Sequence, residues 1–221
     1  MNDKVIKYYF DFLSPYSYLS WTWVRENYRQ WISSGYSVEF LPVTLAPLIT
    51  QFETKGPAEI APKRNYLFKD CLRKAQKRGV RFNIPKLLPF NSLYCLRLAL
   101  AVEKERQVEL INLLFEATWV QSLDMEDEDV LLTLLLENQF DGQALMDKVT
   151  DKEIRRELKT NVNEAKKSGA FGVPTFIVGD ELFWGDDSKA DLELHLFNND
   201  LYNKNQYQQF VTNYPFRGEK E

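Results

Sequence analysis

Strand-forming residues occupy two short stretches near opposite ends of this chain, and nearly everything between them has helical periodicity. One sheet made from such a sequence must bring its two ends together while a helical block loops out between them. Ile6 to Phe12 is rich in aromatic and β-branched residues and predicts a buried strand, interrupted by Leu13-Ser14-Pro15. Tyr18, Leu19, Trp21, Trp23 and Val24 then recur at spacings that suit a helix running toward Trp31. Ser34-Gly35 marks a turn, and Ser37 to Val43 predicts a second strand, parallel to the first through a right-handed crossover.

From about Leu45 to Ser168 the pattern is helical, with apolar segments at Tyr66–Leu72, Leu93–Val102, Leu110–Trp119 and Val130–Leu136. Pro57 and Pro62 precede one helix and Gly79 closes it, while Pro85 and Pro89 separate it from the next. The acidic run Asp124 to Asp129 suits a helix N-terminus. Strand signal returns at Thr175 to Val178 and, after a Gly179-Asp180 turn, at Glu181 to Phe183, with a final helix from near Asp187. The order β-α-β, helical block, β-β-α is that of an α/β thioredoxin-like fold with a large all-helical insertion between its two halves. The expected division is a thioredoxin-like domain in two segments, 1–44 and 169–221, and an inserted helical domain at 45–168. The tail after Tyr202 is polar and reads as loosely attached or packed on another subunit.

Composition narrows the function. With 221 residues, 44% hydrophobic and 27% charged, the chain reads as an ordinary globular protein. A net charge of −4 argues against nucleic-acid or anionic-membrane partners, which require a basic face. Met1 to Phe10 lacks the uncharged core of a signal peptide, and no stretch approaches the ~20 apolar residues that span a bilayer, so a cytoplasmic location is expected. Cys71 and Cys95 form neither a CxxC motif nor a zinc-ligand spacing and read as buried small side chains. His195, the sole histidine, sits in a helical segment with no partners for a Ser/His/Asp triad, and no metal site is expected.

Three loops carry residues with chemical potential. Ser14-Pro15 is a good helix start, since serine is a preferred N-cap and proline suits the first turn. The same geometry stabilises an anion, and a serine hydroxyl can donate to a thiolate supplied by a ligand. Val173-Pro174, just before the returning strand, reads either as an ordinary trans bond or as a cis bond whose Val173 N–H and C=O pair with an extended peptide. Trp184-Gly185-Asp186-Asp187 opens the last helix, and its aspartates either cap that helix or hold an ammonium beside N–H groups that bind a carboxylate.

These residues also carry a resemblance. Tyr9-Phe10-Asp11-Phe12-Leu13-Ser14-Pro15-Tyr16-Ser17-Tyr18-Leu19, Phe171-Gly172-Val173-Pro174-Thr175 and Phe183-Trp184-Gly185-Asp186-Asp187 resemble 2-hydroxychromene-2-carboxylate isomerases and the related kappa-class glutathione transferases. Both belong to the disulfide-oxidoreductase-related, thioredoxin-like superfamily. Pro62-Lys63, Tyr66, Asp70, Arg73 and Asn91-Ser92-Leu93 with Arg97 extend the likeness through the helical block, to about residue 200. The resemblance implies glutathione as cofactor, bound by Ser14, Val173, Pro174, Trp184, Gly185, Asp186 and Asp187, with Ser14 assisting its thiolate. It implies an isomerase of aromatic catabolism in which the sulfur adds transiently to an unsaturated aromatic acid, allows bond rotation and departs unchanged. A kappa-like transferase or peroxidase, which would take an electrophilic substrate, is the alternative, and a homodimer is expected.

Two departures stand out. Ser188-Lys189 occupies the place where relatives carry an arginine, and only Lys63 and Asn91 remain as candidates for gripping a substrate acid. A solvated helix residue and a helix cap are their respective alternatives. A redox-silent peptide-binding module is the reading from outside the enzyme class. Disulfide exchange is disfavoured because Ser14 and Ser17 stand where attacking thiols would be needed.

Overall fold

The computed structural model describes residues 4–197 and 202–213. Strand β1 (Val5–Phe10) leads into α1 (Pro15–Ser33) and β2 (Ser37–Pro42). The helical block follows as α2 (Leu45–Thr50), α3 (Ala61–Arg78), α4 (Leu93–Ala101), α5 (Lys104–Trp119), α6 (Glu128–Glu137), α7 (Gly142–Lys148) and α8 (Lys152–Lys167). Strands β3 (Thr175–Val178) and β4 (Glu181–Trp184) return the chain to the sheet, and α9 (Lys189–Leu196) and α10 (Lys204–Asn213) end it.

Among the described residues the sheet has the order β2-β1-β3-β4, with β1 parallel to β2 and antiparallel to β3, and β3 antiparallel to β4. This is a thioredoxin-like sheet with the helical block between β2 and β3. The register pairs Tyr8 with Phe40 on one side and Phe176 on the other.

Alternation along β1 divides the core into two layers. Tyr8 and Phe10 face one way, where their rings lie 5.3 Å apart. Phe176 stacks on Tyr8 at 4.7 Å, and Trp21 of α1 and Phe115 of α5 approach Phe10 at 6.4 and 5.8 Å. Tyr9 faces the other way, into a cluster with Val43, Leu48, Val162, Ala165, Ala170, Val173 and Ile177. Helix α8 supplies that cluster because Leu158, Asn161, Val162 and Ala165 recur at the spacing of one helical face. Asn161 is the polar member of the stripe, and its side chain donates to the carbonyl of Pro42 at 3.2 Å, where β2 ends.

The chain divides into two compact units, Met1–Asp187 and Ser188–Glu221. His195 lies in α9. The polar tail after Tyr202 forms α10, a helix the composition does not announce, and every described residue of it is exposed. Residues 214–221 of that tail lie outside the described residues. The acidic run does cap a helix, with Asp127 accepting from the N–H groups of Asp129 and Val130 at the start of α6.

Strand β1 stops two residues earlier than its apolar run suggests, and Asp11 is the cause. Its carboxylate is buried and accepts from Leu13 N (3.0 Å), Leu45 N (2.8 Å) and the Ser92 hydroxyl (2.7 Å). Those donors come from the β1–α1 loop, the start of α2 and the start of α4. The backbone here is equally committed: Phe10 O accepts from Val43 N, Asp11 O from Ser14 N, and Phe12 O from the Trp119 indole. Burial pushes the Asp11 carboxyl pKa up, and the three donors only partly oppose that. Replacing Asp11 with asparagine turns an amide N–H₂ toward a backbone N–H, leaving one buried donor without an acceptor. Urea denaturation of Asp11→Asn is expected to give a loss of about 1–3 kcal/mol, and an unchanged midpoint would remove the carboxylate from this anchoring role.

Candidate active site

Ser14 follows directly from the Asp11 turn. It is buried in the extended N-cap conformation (φ −91°, ψ 118°) ahead of Pro15, whose fixed φ suits the first helical position. Ser14 Oγ accepts from Ser17 N at 3.2 Å and donates to Val173 O at 3.5 Å, the long limit of a hydrogen bond. The hydroxyl proton is therefore held weakly, beside the positive end of the 19-residue α1. A stronger acceptor brought to this point, an anion above all, would take it.

Val173 belongs to the loop that reaches Ser14 from the far end of the sequence, and the Val173–Pro174 bond is cis. Thr175 Oγ1 donates to Gly172 O at 2.8 Å and Gly185 N to Pro174 O at 2.8 Å, tying this loop to the turn after β4. Gly185 has φ +86°, a conformation glycine adopts without penalty. Gly172 is constrained by a neighbour: a Cβ there would lie 2.8 Å from the Trp184 indole nitrogen. Trp184, half exposed, also meets the ring of Phe171 at 4.9 Å.

The two aspartates of this turn differ sharply. Asp186 is buried and held by the two terminal Arg78 guanidinium nitrogens, at 2.8 and 2.5 Å. Asp187 is 81% exposed in its side chain and meets Lys74 Nζ at 2.6 Å through one oxygen. Lys74 also contacts Asp70 at 3.1 Å and lies 5.0 Å from the centre of the Tyr16 ring. Tyr16 Oη donates to the same Asp70 oxygen at 2.8 Å. Burial, then the bond to Asp70, drive the Tyr16 phenol pKa upward, so this ring stays neutral.

Tyr16, Pro57, Pro62, Lys63, Tyr66 and Leu67 line an open pocket of about 380 Å³. Its wall is almost wholly apolar and aromatic, and Lys63 is the one charged residue among those that line it. Asn91 is not on that wall. Its Oδ1 accepts from Leu93 N at the start of α4, the cap role, and its N–H donates to Glu126. The structure thus brings together Ser14, Val173, Pro174 and Gly185, joins Asp186 and Asp187 to α3, and sets Lys63 in the pocket beside Tyr16.

Asp11, Tyr16, Asp70, Lys74 and Arg78 escaped the sequence reading as site residues. A signal for three of them was present, since Asp70, Lys74 and Arg78 recur at four-residue spacing and share a helix face. That face of α3 runs from Lys63 and Tyr66 at the pocket to Asp186 and Asp187 at the turn.

The family model described as the DSBA-like thioredoxin domain matches residues 5–197. This chain belongs to the DSBA-like thioredoxin family. Within that family it is 28% identical to a 2-hydroxychromene-2-carboxylate isomerase of Sphingobium xenophagum, over 87% of this chain and 98% of that protein. It is 25% identical to glutathione S-transferase kappa 2 of Caenorhabditis elegans, covering 81% and 83% of the two chains. The solved structure of a 2-hydroxychromene-2-carboxylate isomerase superposes with a TM-score of 0.79 over 88% of this chain and 95% of that one, at 23% identity, which shows a shared fold.

The two thiols of this chain are sealed away. Cys71 and Cys95 are buried. Burial, then the Asp70 carboxylate, push the Cys71 pKa to about 12, and burial likewise raises that of Cys95. Both groups therefore remain protonated far above neutral pH. With a chromogenic disulfide reagent at pH 8, the native protein is expected to release almost no colour until denaturant is added; a fast stoichiometric reaction in the native state would contradict the burial of these thiols.

Proposed function

We propose that this protein is a glutathione-dependent isomerase of the 2-hydroxychromene-2-carboxylate type, with Ser14 assisting the glutathione thiolate. The observation that carries the reading is the Ser14 hydroxyl at the N-terminus of α1, its proton held only by Val173 O at 3.5 Å. Support also comes from the isomerase relative at 28% identity, matched over 98% of its length.

The residues present fit glutathione. Val173 O and N–H can pair with the extended cysteinyl backbone, and no partner for that N–H is found among the described residues. Trp184 and Pro174 flank the same loop, Gly185 N fixes it through Pro174 O, and Asp186, locked by Arg78, sets the turn that presents Asp187. Asp187, with its carboxylate exposed, suits the glutamyl ammonium. Bound glutathione would supply a sulfur nucleophile that adds to an unsaturated carbon and leaves again unchanged.

The chain's own part is electrostatic. Ser14 Oγ donates a hydrogen bond to the sulfur anion while Ser17 N holds the hydroxyl oxygen in place, and the end of α1 adds a partial positive charge. Lys63 pairs with the carboxylate of an aromatic acid, and Tyr16, Tyr66 and the two prolines enclose its ring. Asn91 has only its Nδ2 group to offer, because Leu93 occupies its Oδ1. We read residues 45–168 as an inserted substrate-side domain, and the enzyme as a cytoplasmic homodimer working where reduced glutathione is abundant.

Calorimetry with millimolar glutathione should give saturable binding, and hydroxychromene carboxylate should isomerise only when glutathione is present. Ser14→Gly makes the sharper variant. As a cap it costs only a few tenths of a kcal/mol, yet loss of the donor should lower kcat by about 10²–10³. A protein that neither binds glutathione nor isomerises the substrate ends this proposal.

A kappa-like transferase is the second reading, favoured by the kappa relatives and by the position of Asn91 away from the pocket wall. A stable conjugate with a chloro-dinitroarene, in place of recovered glutathione, would select it. Peptide binding that persists in Ser14→Gly without any glutathione effect would favour a binding module instead.

A further inference from the structure

We infer that Lys74 and Asp187 together form a receptor for the zwitterionic α-amino-acid end of the ligand, ammonium on Asp187 and carboxylate on Lys74. The inference rests on the glutathione reading and makes Lys74 a specificity-determining residue of that site.

The two ion pairs between α3 and the turn after β4 have opposite characters. Arg78 spends two donors on Asp186, whose side chain is fully buried, a closed bidentate lock. Lys74 meets Asp187 through a single oxygen, and the other Asp187 oxygen has no partner among the described residues. An exposed single-point pair of this kind contributes little to folding. It is well suited to exchange contacts with a ligand.

Lys74 does not depend on Asp187 for its position. Its ammonium is held from within the protein by Asp70 and by the Tyr16 ring, and Tyr16 steadies Asp70 through the same carboxylate oxygen. The ammonium therefore stays in place when Asp187 turns toward another cation, and one of its three N–H donors remains for a ligand oxygen. Two cations, Lys74 and Arg78, face three carboxylates, Asp70, Asp186 and Asp187. Carboxylates thus outnumber cations among these five side chains, which favours a ligand ammonium beside Asp187. An α-amino acid carries its carboxylate one carbon away from that ammonium. Set against Lys74, it closes a ring of four alternating charges that neither an ammonium alone nor a carboxylate alone completes.

The test compares glutathione with 4-aminobutyryl-cysteinylglycine, which is glutathione without its α-carboxylate, by calorimetry on the full-length chain. Wild type should bind glutathione about tenfold more tightly than the analogue. Lys74→Met should erase that preference mainly by weakening glutathione, and Lys74→Arg should retain most of it. Thermal melts check that each variant is folded, and Lys74→Gln replaces the methionine variant if that one is not. A preference that survives removal of the charge, or its absence in wild type, overturns the role of Lys74 and leaves glutathione use standing. Failure of wild type to bind either compound overturns both.

Discussion

The buried carboxylate of Asp11 gathers three segments at one point, and the position of Ser14 depends on it. Leu13, Leu45 and Ser92 converge on its two oxygens, while the Asp11 carbonyl receives the Ser14 N–H. Strand β1 ends there, α1 begins four residues later, and the helical block is tied to the sheet at the same spot. Burying a carboxylate is costly unless donors surround it, so the three bonds must form together. The loop becomes a fixed platform for a hydroxyl at a helix start.

Helix α3 does for the other side of the site what Asp11 does for Ser14. Its interior face seats Leu67, Cys71 and Ala75 in the core, while the adjoining stripe carries Lys63, Tyr66, Asp70, Lys74 and Arg78. Arg78 locks the turn after β4 through Asp186, and that turn reaches back to the Val173 loop through Gly185 and Pro174. The apolar pocket, the helix start and the acidic turn are therefore parts of one framework. In this framework the inserted block contributes to the site as well as to the core.

Much of this was legible in the sequence because local rules and tertiary demands agree. The β-branched and aromatic runs make strands, Ser14-Pro15 starts α1, Gly79 ends α3 in a left-handed conformation, and the sheet has the expected thioredoxin-like pairing. What stayed hidden depends on distant contacts. Nothing local tells that Asp11 would bind Ser92, that Lys74 would reach Asp187 or that Asn91 would lie off the pocket wall. The early end of β1 belongs with these, since Phe12 continues the apolar run but its carbonyl is taken by Trp119 from α5. Helix α10 escaped for a different reason: its sequence is mostly polar, and none of its described residues is buried.

The central claim is that Ser14 holds the anionic sulfur of bound glutathione. Titrating the ultraviolet absorbance of the thiolate in the complex tests it most directly. In wild type the bound thiol should ionise well below the ordinary thiol pKa of about 8.5, and in Ser14→Gly it should return toward that value. An ionisation that is the same in both proteins would contradict the account.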